Sequence, residues 1–109
     1  MSTEKFDPRM LLIITTESDL VTAKKLGRSI LQAKLAACIN FSEVMSMYWW
    51  KNKLEETSEV QLLIKTRIEF ESHLLQFIEN KHSYSLPEMI SIKGESGSKY
   101  IGWIENVLN

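Results

Sequence analysis

Cys38-Ile39-Asn40 opens a stretch that runs on to Trp49-Trp50-Lys51-Asn52-Lys53, then through residues 59–66 to His82-Ser83-Tyr84-Ser85-Leu86-Pro87-Glu88. Ala37, Ile39 and Phe41, then Met45, Met47 and Trp49, alternate with Cys38, Asn40, Ser46 and Tyr48, the period of two that marks a strand. Glu43 interrupts the apolar face, which predicts a bulge or bend between Phe41 and Val44. Lys51-Asn52-Lys53 reads as a turn, because Asn tolerates the left-handed backbone that a tight connection needs. In the returning strand Val60, Leu62 and Ile64 face one way, while Glu59, Gln61, Leu63 and Lys65 face the other. Both strands, residues 36–50 and 53–66, far exceed the usual ~5–6 residues, so the hairpin must project beyond its own domain.

Upstream, Met10-Leu11-Leu12-Ile13-Ile14 is a continuous apolar run that suits a strand buried on both faces. Thr16 and Asp19 read as a capping box, and Leu20, Ala23, Leu26, Gly27, Ile30 and Leu31 recur at helical spacing, which predicts a helix over residues 18–34. Downstream, Thr66 and Glu69 read as a second capping box, with Phe70, Leu74, Phe77 and Ile78 as the buried stripe of a helix ending near Lys81. Glu88-Met89-Ile90-Ser91-Ile92 is a short strand, Gly94 to Ser98 punctuate its exit, and Tyr100, Ile101, Ile104 and Leu108 mark a C-terminal helix. The order is β-α-β-β-α-β plus a helix, the split arrangement of an α+β, ferredoxin-like sandwich with an extended hairpin. One domain over residues 1–109 is expected, with residues 1–8 as a flexible N-terminal segment.

Composition narrows the function classes. A net charge of −1 lacks the basic field that binds nucleic acid. Cys38 is the only cysteine, so no intrachain disulfide forms, and no signal-peptide pattern or bilayer-length apolar run is seen. A cytoplasmic location with no membrane partner is the resulting expectation. Three Trp and a near-neutral charge leave more sticky surface than charge to hold subunits apart. A projecting ribbon bearing Met45, Met47, Trp49 and Trp50 exposes strand edges and an apolar face, which partner subunits remove by pairing with it.

The imidazole of His82, the phenol of Tyr84 and the carboxylate of Glu88 share one loop closed by Pro87, and imidazole with carboxylate suits copper or zinc. Two ligands make a weak site, so a complete one needs a third group from Cys38, a neighbouring subunit or solvent. The alternative is a hydrogen-bonded loop histidine, and for Cys38 a small apolar filler within a strand. Glu59 and Lys65, on one face of one strand, could anchor a polar cluster with Tyr84, Glu88 and Trp103 where subunits meet, or an interfacial salt-bridge network that only fixes register. No phosphate loop, nucleophile elbow or His-Glu-x-x-His motif is present, so no enzyme activity is expected and no cofactor is required. An acylphosphatase-like reaction would need an arginine in an anion loop before the first helix, where Thr15-Thr16-Glu17-Ser18-Asp19 offers acids.

These motifs together resemble the CutA divalent-cation-tolerance family, whose pattern joins a Leu-Ala-Ala-Cys-Val-Asn strand, a Trp-rich hairpin, a Glu-x-x-x-x-x-Lys-Thr strand and a His-Pro-Tyr-x-x-Pro-Glu loop. The resemblance covers nearly the whole chain. It implies a homotrimer, in a PII-like assembly, whose hairpins extend the sheets of neighbouring subunits. It also implies an inter-subunit cleft at the positions of Glu59, Lys65, Tyr84, Glu88 and Trp103. Some family members carry a Cys at the end of the first strand and a second His before the loop His; here these positions hold Thr15 and Lys81, and Ser83 stands for the usual Pro. The implied role is tolerance of divalent metals, with a PII-like small-ligand sensor or a trimeric scaffold as alternatives.

Overall fold

The computed structural model describes residues 4–109. Its elements are β1 (Phe6–Glu17), α1 (Leu20–Gln32), β2 (Cys38–Trp50), β3 (Lys53–Arg67), a 3-10 turn (Ile68–Phe70), α2 (Glu71–Lys81), β4 (Ile90–Gly97) and α3 (Ser98–Leu108). The four strands form one antiparallel sheet in the order β2-β3-β1-β4, the ferredoxin-like arrangement expected from the chain order.

Alternation along β1 divides the core between two faces. Leu11 and Ile13 meet Leu62 and Ile64 of β3, Leu26 and Ile30 of α1, and Leu74 and Ile78 of α2. Met10 and Leu12 point the other way, against Ile101 and Ile104 of α3. Leu12 and Ile14 stay half-buried rather than enclosed, because α3 covers only part of the second face. Arg67 at the end of β3 fixes α3 by placing Nη1 2.6 Å from Glu105 Oε2. Its Nε lies 2.6 Å from Glu69 Oε1, an ionic contact too poorly aligned for a hydrogen bond.

Several local expectations give way to better-satisfied backbone. The flexible segment expected over residues 1–8 lies outside the described residues for 1–3, and from Phe6 the chain is already strand. Phe6 pairs with Gly97 and Asp7 with Ser96, and the Glu4 carboxylate accepts from Lys99 N at 2.9 Å. The bulge falls there, between Asp7 and Met10, and not near Glu43, where β2 and β3 keep one unbroken register from Cys38↔Lys65 to Trp50↔Lys53. Neither capping box forms. Asp19 is itself the cap of α1, accepting from Thr22 N at 2.8 Å, and the Thr66 hydroxyl donates to Leu35 O at 2.9 Å. The last strand starts at Ile90 and runs through Gly94 to Gly97, because the early start of β1 gives these residues partners.

The turn is tighter than three residues. Lys51 (φ 49°) and Asn52 (φ 64°) both take the left-handed conformation of a two-residue hairpin connection, and Lys53 already pairs with Trp50. β1 ends opposite Val60, so residues 44–50 and 53–59 continue as a two-stranded arm of about 23 Å. The arm lengthens the molecule to 51 Å and raises the radius of gyration to 15.3 Å, against ~13 Å for a compact chain of this length.

Gly27 shows how closely α1 sits on the sheet. A Cβ there would lie 2.7 Å from Phe41 Cζ. Gly27→Val is expected to lower stability by about 1–3 kcal/mol, read by chemical denaturation, with most of the loss recovered when Phe41→Leu makes room.

Candidate functional site

The α1/α2 side of β1 carries its alternation past the apolar residues to Thr15 and Glu17, both buried. A carboxylate in that position must find donors. Glu17 is 1 % exposed and accepts from Ser83 N at 3.2 Å and from the Ser83 hydroxyl. Ser83 is delivered by the end of α2, where His82 leaves the helix with its N–H still bonded to Ile78 O at 2.8 Å.

The His82 ring is enclosed, and both its nitrogens are engaged. Nδ1 accepts from Tyr84 N–H at 3.0 Å, so the ring proton sits on Nε2, which donates to the Thr15 hydroxyl at 3.1 Å. Glu17 Oε2 stands 3.7 Å from Nδ1 without forming an ion pair in this state. The hydrogen-bonded histidine is therefore the arrangement adopted, and its tautomer is set by the backbone of its own loop.

Tyr84 carries the loop across the end of β1 to the root of the arm. Its ring tilts at 49° against His82, 5.1 Å between centroids, and its hydroxyl donates to Glu59 Oε2 at 2.8 Å. Burial, reinforced by the hydrogen bond to the Glu59 carboxylate, pushes the phenol well above its ordinary range.

Cys38 lies on the opposite face, paired in register with Lys65 and with its thiol near the Tyr100 hydroxyl of α3. Tyr100 stacks on Trp103 at 5.6 Å and 27°, and burial followed by the nearby thiol raises its phenol too. A raised tyrosine pKa adds stability that is complete below about pH 10 and is lost as pH climbs through the folded-state value, so both phenols make the fold less stable from about pH 10 upward. Absorbance titration is expected to show two late-ionising tyrosines, one phase vanishing in Tyr84→Phe and the other in Tyr100→Phe.

The expected metal set of His82, Glu88 and Cys38 is not brought together within one chain. His82 is buried on the helix face, Cys38 is half-buried on the α3 face, and Glu88 is exposed in the loop. Among the described residues no three His, Cys, Asp or Glu groups are placed to hold a metal ion. The expected cleft set divides likewise. Glu59 and Tyr84 meet, while Lys65 stands six residues along β3, about 20 Å away, and Trp103 belongs to α3. Met45 and Met47, each 62 % exposed, and Trp49, at 74 %, share one face of the arm, with Trp50 on the other.

Sequence reasoning missed Thr15, Glu17 and Ser83 as the partners that define the loop. The signal was there: Leu11, Ile13, Thr15 and Glu17 continue one period-two face, so an acid was being carried into the core.

Residues 11–107 match the profile of the family described as CutA1 divalent ion tolerance protein. Protein CutA homolog of Xenopus laevis is 39% identical over 97 residues, covering 87% of this chain and 64% of that protein. The structure of CutA from Synechococcus elongatus PCC7942 superposes with a TM-score of 0.94 at 29% identity, covering 99% of this chain and 97% of that one. That of the periplasmic divalent cation tolerance protein CutA from Archaeoglobus fulgidus gives 0.88 at 30% identity, covering 92% and 99%. The chain spans about half to two thirds of the length of the vertebrate relatives it matches.

Proposed function

The chain belongs to the CutA1 divalent ion tolerance family, and on that premise we propose that it works as a homotrimer in the cellular response to divalent metal ions. The observation that carries the assembly is the arm. Among the described residues, 44–50 and 53–59 have no third strand beside them and hold Met45, Met47, Trp49, Trp50 and Leu54 largely in solvent. A two-stranded ribbon of this length is marginal alone, and an unpaired edge next to an apolar face invites another copy. Met45, Met47, Trp49 and Trp50 are its interface residues in this reading.

Assembly also gives a route to the cleft. Glu59 with Tyr84 at the arm root, and Lys65 with Trp103 near α3, are too far apart in one chain to act together; neighbouring copies would supply the missing half. A copper or zinc ion taken up by the protein would be held between subunits, because His82 has no free lone pair without breaking its bonds to Thr15 or Tyr84.

No covalent chemistry and no resident cofactor belong to this reading. Ser83 and His82 adjoin a buried carboxylate, but the Ser83 hydroxyl donates to Glu17 and the imidazole is turned to Thr15, so no imidazole base faces that hydroxyl. Cytoplasmic placement is part of this reading; no helix among the described residues is long and apolar enough to cross a membrane.

Light scattering at micromolar concentration tests the assembly: a mass three times 12.6 kDa is expected, and the single-chain mass would overturn it. Calorimetric titration of the assembled protein with copper and zinc tests the metal side. Metal tolerance itself is read by growth of cells lacking and overproducing the protein in graded copper and zinc.

A further inference from the structure

Residues 20–42, which hold all of α1 and the first part of β2, contain Lys24, Lys25, Arg28 and Lys34 and no acid, in a chain whose net charge is −1. Lys34 has a structural task, its Nζ donating to Val107 O of α3 at 3.2 Å. Lys24, Lys25 and Arg28 are exposed and form no ion pair among the described residues. Lys24 and Arg28 stand four residues apart on the helix, a spacing at which like charges repel and weaken the helix that carries them. No acid among the described residues offsets that repulsion, so the pair is free to meet negative charge from outside the chain.

The two cations flank an open groove of about 410 Å³ between α1 and the edge strand β2, lined also by Gly27, Leu31, Gln32 and Phe41 and by no acid. Gly27 sets its floor. A side chain there would collide with the Phe41 ring, whose Cζ lies 2.7 Å from the Cβ position, so the glycine lets the ring reach the helix between the two charges. Glycine is the poorest helix former after proline, and this close approach accounts for its place in the middle of α1. Leu31, 38 % exposed, extends the apolar surface. An apolar floor with a few converging polar groups, at a volume within the ~300–1,000 Å³ of small-molecule sites, has the form of a ligand pocket. All six residues belong to one chain, so the site is complete without a second copy. The groove at the arm root, lined by Asp19, Glu43 and Glu59, has the opposite sign.

We propose that the groove between α1 and β2 binds a small amphipathic anion, its carboxylate or phosphate head on Lys24 and Arg28 and its flat apolar body on Phe41 and Leu31. The Arg28 guanidinium offers forked donors that match two oxygens of either head, and Lys24 adds a movable point charge. Gln32, one turn beyond Arg28, supplies a neutral amide for a remaining oxygen. A nucleic acid would need a row of cations along the surface, whereas two charges around one aromatic floor suit a single head on a ring system. The head stays near solvent, so added salt weakens the contact. Neither a metal ligand nor the arm takes part, which makes this site independent of the metal response and of the homotrimer.

Calorimetric titration with naphthalene-2-carboxylate, 2-naphthyl phosphate and the neutral naphthalene-2-methanol tests it, with amide NMR shifts mapping the contact. The expected result is binding of at least one acid with shifts centred on residues 24–32 and 39–41, and binding of the alcohol at least about tenfold weaker. The tighter of the two acids names the head. Lys24→Gln/Arg28→Gln should cost at least about tenfold in affinity, while Lys25→Gln, on the same helix but outside the groove, should change it by less than about twofold. Circular dichroism checks that each variant keeps its fold, since all three positions are exposed. Neither acid binding at about 1 mM, an alcohol that binds as well as the acids, or a double variant equal to wild type overturns the site. A loss in Lys25→Gln as large as in the double variant assigns the attraction to the general charge of α1 and also overturns it.

Discussion

His82→Ala is expected to destabilise the chain by about 2–4 kcal/mol while leaving its affinity for copper and zinc unchanged. Two costs add. The enclosed ring leaves a cavity that the end of α2 and the strand β1 cannot collapse to fill, and the Thr15 hydroxyl and Tyr84 N–H lose their partners. Release of the loop also frees Ser83, whose N–H and hydroxyl are the donors to the buried Glu17, so the effect spreads through a network. His82→Asn places an amide oxygen where Nδ1 stood, retains the acceptor for Tyr84 N–H, and should recover about half of the loss. Urea denaturation measures the first quantity and calorimetric titration the second. A tenfold fall in metal affinity with stability intact would mean that His82 turns out of its pocket to serve as a ligand.

Where the sequence was legible, one period governed a whole element. Val60, Leu62 and Ile64 alternate without interruption and are all buried in β3, and the long hairpin was readable because nothing breaks its two strands for a dozen residues. Glu43 failed as a bulge signal because it lies where β1 ends: opposite Val60 and beside solvent, an acid needs no distortion of the ladder to stay wet. Capping boxes failed for another reason. Thr66 sits where β3 passes Leu35, and a long-range carbonyl competed successfully for its hydroxyl. The N-terminal residues looked loose because Pro8 and charged neighbours carry no pattern, while the partner that orders them, residues 94–97, lies almost the whole chain away.

The candidate site was only half legible. Tyr84 meeting Glu59 follows from two residues in the expected cleft set. Within one chain His82 and Cys38 stand apart, because sheet alternation sends Cys38 to the α3 face and the helix end sends His82 to the other. Separation by face is decided by register, which a motif carries no record of. The same register places Glu59 and Lys65 on one face and yet far apart, so a cleft using both has to be built by more than one chain.

Met47→Glu/Trp49→Glu is expected to weaken self-association by at least about a hundredfold, bringing the protein to single chains at micromolar concentration. Both side chains lie on the same face of the arm, more than half exposed, and neither touches the core clusters, so the fold of the separate chain has little to lose. Large exposed aromatic and thioether groups are the residue types that dominate interface energies when a partner covers them, and a carboxylate buried in their place brings an unpaired charge. Sedimentation equilibrium gives the dissociation constant. Thermal melts supply an independent readout: for an assembled protein the midpoint rises with concentration, and in the variant that dependence should disappear. The loss caused by replacing Met47 and Trp49 should be insensitive to salt, since no counter-charge can replace apolar area withdrawn from water.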